Sequence, residues 1–590
     1  MKPVSEAYKS SVKSMLRGRS FVRVTFGNVD PSAATDGEWV SNGEHGYSEF
    51  DTVDYYFDYP ESYASLELNR WALDGKTRVT PSSGPMQDGF ISSLMSDAEG
   101  NLSTPVVLVR EFSKPHIFPG LSLTFDTRCR EWPPGVTVDF YLNGAVVDTQ
   151  TVSVTGTEVV APTTATEIDK LVVTFGGSLP YRRPRLERVL YGEEKMYSNA
   201  EIVSTRQAHD VDPLTRRLPQ ETMQFEILDY EHKYDPENPS GIYAYVDKNS
   251  PVEIQFGYEL DDGSVEWVKG DKYVMNAKPT AQNNKATFTG TGLIGSLSGI
   301  YHKSKLGNKS FYDMAEEVLV DADLTPARDG TNPWVIDEAL KEMYTTAALP
   351  IDTHMNCLQL IAHACRCCLF TDDDNIIHIK PFNVHKTDNF EPSFVLDFSS
   401  IAENSQTLSK IDQLKSVSVT RYSYTVSGDT QTLFEGTTTE TQLHVEFSGL
   451  AQDVKISVTG GTLVSSDVYA RAADLVLSSG TKTVVVTGKS LSENSVVVSY
   501  PVSSEGEIDK EDNPLITNDE MCSALAAHIA EYLQMRNTYD VSYRGNPEVE
   551  VRDIISLQTP YTADMNALVL VDEITFNGSL SGKVKVKGLI

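Results

Sequence analysis

A chain of 590 residues is far too long for one hydrophobic core, so about three to five domains are expected. Its 40% hydrophobic content is that of a soluble globular protein. No apolar run reaches the ~20 residues that span a bilayer. A formal charge of −33 argues against nucleic acid as the main partner, because a phosphate-binding surface needs clustered Lys and Arg.

The first 25 residues are polar, with Lys9, Lys13, Arg17 and Arg19, and read as a short helix or arm. They lack an apolar core followed by a cleavage site, so a reducing cytoplasm is the expected place of folding. The six cysteines agree. Cys129 and Cys522 stand alone, and Cys357, Cys365, Cys367 and Cys368 crowd one apolar segment, unlike a disulfide framework. Residues 30–100 mix aromatics with turn formers. Residues 105–196 read as a self-contained module. Val138–Gly144 is a strand ending in an Asn-Gly hairpin signal, and AVVDTQTVSV is its return strand. The module holds 10 Lys+Arg against 11 Asp+Glu, nearly neutral in an acidic chain.

Residues 200–300 form a strand meander. Phe225 and Ile227 alternate with polar neighbours, as do Val252, Ile254 and Phe256. Asp235, Pro236, Asn238, Pro239 and Gly241 break regular structure, and Asp261-Asp262-Gly263 supplies a turn before Val265 and Trp267. Three segments have helical period. Residues 309–321 place Phe311, Ala315, Val318 and Leu319 on one face. Residues 353–370 place Cys357, Leu358, Ile361, Ala362, Cys365 and Cys368 together. Residues 517–537 start at a candidate cap, Asn518, and align Met521, Leu525, His528, Ile529 and Leu533. Residues 426–510 are rich in Thr, Ser, Val and Gly, with period-2 alternation. The last 50 residues return to strands, and no solenoid repeat is visible.

Three stretches carry a resemblance. They are Leu228–Lys278 (LDYEHKYDPENPSGIYAYVDKNSPVEIQFGYELDDGSVEWVKGDKYVMNAK), Arg70–Leu73 with Gly75 (the WALDG segment), and the run from Gly545, GNPEVEVRDIISLQTPY…EITFNGSLSGKVKVKG. Together they resemble the tail-hub and tail-tip (baseplate) proteins of phages and prophages of Gram-positive gut bacteria. The resemblance implies a mainly β, multidomain fold with two hub β-barrel-like domains. The first would combine 1–100 with 198–300, and the second 385–425 with 517–590. A small α+β domain would occupy 301–384. Residues 101–197 resemble a discoidin-like jelly roll, on LTFDTRCREWPPGVTVDFY and KLVVTF…PYRRPRLERVLYG. Residues 426–516 resemble an immunoglobulin-like sandwich interrupting Lys410–Tyr424, whose barrel partner is expected after Asn537.

The same resemblance implies a structural role in the virion. The protein would close the distal tail tube and contribute to host attachment and DNA delivery, assembling in the host cytoplasm. The implied partners are further copies of itself, as a homotrimer or secondly a hexamer, and the tail tube, distal tail, tape-measure and receptor-binding proteins. Host-surface glycans are a further partner. Jelly rolls of this kind bind glycans through end loops, which makes Trp132, Arg182, Arg183 and Arg185 the candidate glycan-binding residues. An aromatic ring stacks on a sugar face while charged groups bond its hydroxyls. The bland alternative is that Trp132 packs in a loop and the arginines form a solvated edge.

No catalytic residue, metal ligand or cofactor is assigned. His354, Cys357, His363, Cys365, Cys367, Cys368 and His378 lack the paired short spacing of a zinc site and instead fit one buried face. Asp372–Asp374 lacks calcium-loop spacing and reads as a hairpin turn before a strand at Ile376–Ile379. Gly290-Thr-Gly292-Leu-Ile-Gly295 matches a dinucleotide fingerprint but stands outside any βαβ unit. No nucleophile elbow, Walker loop or zinc-protease motif is present. A polysaccharide-degrading tail enzyme and a carbohydrate-binding adhesin are the alternatives. The first would show β-helix repeats, and the second a signal and an anchor.

Overall fold

The computed structural model describes residues 1–14, 17–29, 33, 36–41, 63–64, 67, 78–79, 89–116, 118, 120–126, 129–165, 167–238, 243, 246, 248, 250–324, 332–382, 392 and 394–589. The WALDG segment, Arg70–Leu73 with Gly75, lies outside them, as do Pro239 and Gly241.

The fold is mainly β and multidomain, and a 15-stranded sheet is its backbone. Eleven of its strands run in one spatial order, which starts Gly192–Ser198, Ser20–Val29, Pro251–Glu259, Asp271–Met275, Lys285–Thr291, Gln220–Leu228 and Ile202–Asp210. Next come Met565–Phe576, Leu580–Gly588, Asn537–Tyr543 and Thr407–Lys410, and four short strands pair off this path. The period-2 pattern explains the faces. In Gln220–Leu228, Met223, Phe225 and Ile227 are buried while the residues between them are exposed or half-buried. Phe225 stacks on Phe288 of the neighbouring strand at 4.4 Å between centroids.

The two expected barrel-like halves are not separate. Ile202–Asp210 pairs antiparallel with Met565–Phe576, from Thr205↔Phe576 to Asp210↔Val571. One apolar cluster then runs from Val22, Phe225 and Phe288 of the first half to Tyr539, Val569 and Val586 of the second. The N-terminal arm bolts the halves again. Helix Glu6–Lys13 is capped by Ser5, whose side chain accepts from Tyr8 N–H. Tyr8 donates to Asn546 at 3.0 Å. The Lys2 ammonium reaches Asp271 at 2.5 Å, both side chains buried, and Lys2 N–H donates to the Glu548 carbonyl.

Both insertions leave the body on paired strands. Ser20–Val29 and Gly192–Ser198 are antiparallel neighbours, and the described residues between them form a unit of their own. That unit faces a five-stranded sheet against a three-stranded one over a core of Leu123, Phe125, Val138, Phe140, Val173 and Phe175. The predicted hairpin is present, with Asn143 at φ 54° and Gly144 at φ 79° between Gly135–Leu142 and Ala145–Ser153. Trp39–Ser41 joins the five-stranded sheet and Phe90–Ile91 pairs with Arg185–Leu186. The unit therefore takes in residues that the sequence division left to the first barrel.

The second insertion grows from a ribbon. Leu414–Thr438 is one strand of 25 residues, paired with Lys482–Pro501 and, in parallel, with Glu507–Glu511. Lys410–Tyr424 therefore does not all pair after Asn537, as expected. Of that segment only Lys410, at the end of the strand Thr407–Lys410, pairs with Asn537–Tyr543. The base of the ribbon, through Val417 and Val419, packs into the helical core with Leu525 and Ile529. At its far end the ribbon, joined by Ala451–Thr459, lies over a three-stranded sheet, closed by Val445, Phe447, Leu475, Val484 and Val486.

All three helices occur. Phe311–Asp321 is capped by Ser310, His354–Ala364 by Thr353 and Asp519–Gln534 by Asn518. The middle helix is shorter than its pattern. It stops at Ala364, Arg366 takes φ 60°, and Cys367–Thr371 becomes a strand. Cys365 and Cys368 are buried, but Cys368 lies on a strand and not on the predicted helical face.

Candidate functional site

The chain segments around Trp132 and Arg182 come from opposite ends of the first insertion. An isolated bridge, Asp126↔Glu131, closes a tight loop in which Arg130 sits at φ 54° and Cys129 N–H donates to the Asp126 carboxylate at 2.8 Å. Trp132-Pro133 follows. Beyond the strand Ile168–Gly177 the chain turns at Tyr181 (φ 57°) and reaches Arg182–Arg185. Ser96 pins this turn, its N–H donating to the Arg182 carbonyl and its hydroxyl accepting from Arg182 N–H, both at 3.0 Å.

All four predicted residues line one cleft, with Asp126, Glu131, Pro133, Ser178 and Leu179. Its cavity volume is ≈ 20 Å³, room for about one water molecule. The cleft therefore offers a rim rather than an enclosed pocket. Each arginine has a distinct setting. Arg182 is half-buried, and its Nε donates to Glu131 at 2.7 Å. Arg183 is only 8% exposed and donates Nη1 to the Ser92 carbonyl at 3.3 Å and to that of Ser93, while its backbone N–H donates to Glu67 at 2.8 Å. Arg185 pairs with Glu67, itself 1% exposed, and lies 3.7 Å from Asp126.

Arg183 and Arg185 are thus not a solvated edge. Arg185 forms a buried ion pair with Glu67, and Arg183 holds the loop through the Ser92 and Ser93 carbonyls and its backbone bond to Glu67. Glu67, Glu131 and Asp126 were missed by sequence reasoning, and no local pattern marks them, since Glu67 lies 118 positions before Arg185. Trp132 is half-buried against the core of the insertion. Leu179, 38% exposed, lines the same cleft. The outward groups are one indole, one Arg–carboxylate pair and a small apolar rim. They suit a neutral polar ligand with one apolar face better than a polyanion.

The other clusters singled out by sequence go elsewhere. His354 bonds Asp321 at 3.0 Å, His363 bonds Glu511 at 3.0 Å and His378 bonds Asp372 at 2.8 Å, so each histidine has its own carboxylate. Burial pushes the Cys357 and Cys368 thiols up to about 12, which keeps them protonated packing groups. Asp373 and Asp374 pair with Lys269 at 3.0 and 2.5 Å, and Asp374 also with Lys272 at 2.9 Å. Gly290–Gly295 ends a strand and enters a helix of four residues, and a Cβ on Gly292 would strike the Glu221 carboxylate.

No family model matches the chain, and no curated protein does. Solved structures similar to it include the tail protein from Neisseria meningitidis MC58, at 9% identity and TM-score 0.35, over 67% of this chain and 93% of that one. A 43 kDa tail protein of prophage MuSo2 from Shewanella oneidensis gives 9% identity and TM-score 0.36 over 66% and 95%. Prophage tail protein gp18 from Listeria monocytogenes EGD-e gives 8% identity and TM-score 0.34 over 66% and 91%.

Proposed function

We propose that this chain is a structural subunit at the distal end of a phage tail, a hub that contributes to closing the tube, contacting the host and releasing DNA. The observation that carries the reading is the fused sheet. Two halves joined through Thr205–Asp210 and Val571–Phe576 share one core and are bolted again by the N-terminal arm. A subunit of that kind is a stiff segment, and stiff segments with self-complementary edges close into rings. The resemblance of the hub stretches supports a trimer, in which two halves per subunit give pseudo-sixfold symmetry, with a hexamer second. Both insertions leave the body on adjacent strands, so they can vary without disturbing it. They divide the chain into a hub, a jelly-roll-like module and an immunoglobulin-like module.

The first insertion is the part suited to touch a glycan-coated surface. Its sequence is near neutral where the rest is acidic, and anionic envelope polymers repel an acidic surface. Trp132 and the Arg182–Glu131 pair offer the stacking face and the hydroxyl partners. Arg183 and Arg185 serve by holding the loop. The role is architectural and binding, with no reaction assigned.

Negative-stain imaging of the full chain tests the hub. Closed rings are expected, and a monomer at all concentrations, with no ring in virions, overturns it. Pull-down on host cells tests the module. Trp132→Ala should abolish most binding while leaving the ring intact. Equal binding by the variant assigns attachment to another protein.

A further inference from the structure

We propose that His302, His444 and Asp474 form a divalent transition-metal site that clips the second insertion onto the α+β part of the body. The ligand atoms of the three residues all lie within 4.8 Å of one another. His302 Nε2 is 2.9 Å from one oxygen of Asp474, and His444 Nδ1 is 2.6 Å from the other. The two imidazoles meet edge to face with centroids 4.5 Å apart. Two neutral imidazoles and a carboxylate are the donor set of zinc and its neighbours, leaving a fourth position for water.

The topology fixes this arrangement. His444 lies on Gln442–Glu446 and Asp474 on Ala472–Leu477, and they are direct cross-strand partners. Val445 between them faces the sandwich core, so His444 and Glu446 share the outward face. His302 comes from the body, just after the strand Ile300–Tyr301. The two parts already touch here through Ala470 N–H to the Ser304 carbonyl at 2.8 Å and a small apolar contact of Ala348, Leu450 and Ala470. A metal would add a bond across that joint.

Two further features fit an ion. Glu446 lies 3.7 Å from His444 Nε2, the nitrogen that a metal on Nδ1 leaves free. At that distance the carboxylate makes no hydrogen bond, and its charge favours the tautomer that carries the proton on Nε2 and leaves Nδ1 free. The nearby cation Lys303 pairs with Asp321 at 2.5 Å, and the Tyr469 ring meets His302 edge to face at 5.6 Å between centroids. His444 and Asp474 are 41% and 35% exposed at the side chain, so an ion can enter without unfolding. This inference does not depend on the tail role.

The experiment uses the full chain stripped with EDTA and then titrated with Co²⁺, read by visible absorption, and with Zn²⁺, read by calorimetry. One ion per chain is expected, with intense tetrahedral cobalt bands. Asp474→Asn and His444→Gln should remove the bands. His302→Ala should weaken Zn²⁺ at least tenfold, and Glu446→Gln by less than that. Ca²⁺ and Mg²⁺ should not compete. Circular dichroism checks that each variant is folded. Absence of saturable binding overturns the site. So does binding unchanged in both His302→Ala and Asp474→Asn, which would place the ion elsewhere.

Discussion

Lys2 and Asp271 offer the sharpest test of the fused body. Their side chains are 4% and 7% exposed, 2.5 Å apart, and Gln207 Nε2 donates to the second oxygen of Asp271 at 2.7 Å. Burial raises the Asp271 pKa, but the Lys2 and His209 charges and the Lys2 and Gln207 hydrogen bonds outweigh it and hold the carboxylate below its usual range. Lys2→Met leaves that charge buried with one neutral donor, a loss of about 3–5 kcal/mol. Asp271→Asn strands the ammonium with a similar loss. The double variant removes both charges and should fall within about 2 kcal/mol of wild type, because an uncompensated buried charge is what destabilises. A chain of several domains does not unfold in one step, so local opening is the quantity to follow. Hydrogen exchange by mass spectrometry on Asp271–Met275 and Met565–Phe576 reads it. Exchange in Lys2→Met should be roughly a hundredfold or more faster there, at about 1.4 kcal/mol per decade. Unchanged exchange at Met565–Phe576, or strict additivity in the double variant, would refute the bolt.

The other predictions follow from single groups. Burial pushes the Glu221 carboxyl up to about 8, with the Asp271 and Asp372 charges adding to it against the Thr371 N–H. The folded state then holds a proton that the unfolded chain gives up near its ordinary value of 4.5, so this contribution is lost as pH rises from about 4.5 through 8. Glu221→Gln should flatten the loss of hydrogen-exchange protection in Gln220–Leu228 between pH 6 and 9, and an unchanged slope would reject the assignment. Burial, then the Arg366 and His363 charges, lowers His528 to about 4, and its Nε2 has no hydrogen-bond partner among the described residues. The unfolded chain takes up that proton first, so stability is lost as pH falls from about 6.5 towards 4. His528→Leu should raise the melting temperature, and more at pH 5 than at pH 8; the reverse order would refute it. Gly144 has φ 79° with open space beyond, so Gly144→Ala should cost about 1 kcal/mol of strain. At Gly506, with φ 121°, a Cβ would strike the Gln413 carbonyl, so Gly506→Ala should loosen the base of the ribbon far more. Proteolysis at residues 410–415 and 503–507 measures it.

What sequence could reveal was local. The Asn143-Gly144 hairpin, the Asn518 cap and the alternation of Phe225 and Ile227 each state a geometry within a few residues, and each occurs. The end of the middle helix was not legible. Arg366 takes a left-handed conformation with no Gly or Pro to announce it, and the apolar run continues into the strand at Cys367. Partnership was not legible either. Alternation tells which face of Ile202–Asp210 is buried but not that its neighbour is Met565–Phe576. The candidate cleft shows the same division. Trp132 and the arginines could be read as an aromatic loop and a basic run. The carboxylates that make Arg183 and Arg185 structural come from Glu67 and Asp126, which only the fold brings near.

The strand order also explains how so long a chain can hold two large insertions. Bringing together the ends of a flexible loop costs more with length, though only by about 0.6 kcal/mol per doubling. Between Val29 and Gly192 the chain does not pay even that as a loop, because the unit between them folds and brings its own ends together. The ribbon solves the same problem differently. Leu414–Thr438 and Lys482–Pro501 stay hydrogen-bonded from body to module, so the second insertion is an extension of a hairpin and has no free linker. A module carried on a continuous ribbon transmits bending to its base, where Val417 and Val419 meet the helix at Leu525 and Ile529. Among the described residues, the first insertion meets the body at the paired edge strands Ser20–Val29 and Gly192–Ser198. Force or ligand applied to the second insertion should therefore reach the helical core, whereas the first should move independently. Hydrogen exchange distinguishes the two: load on the second module should alter Asp519–Gln534, and load on the first should leave that helix unchanged.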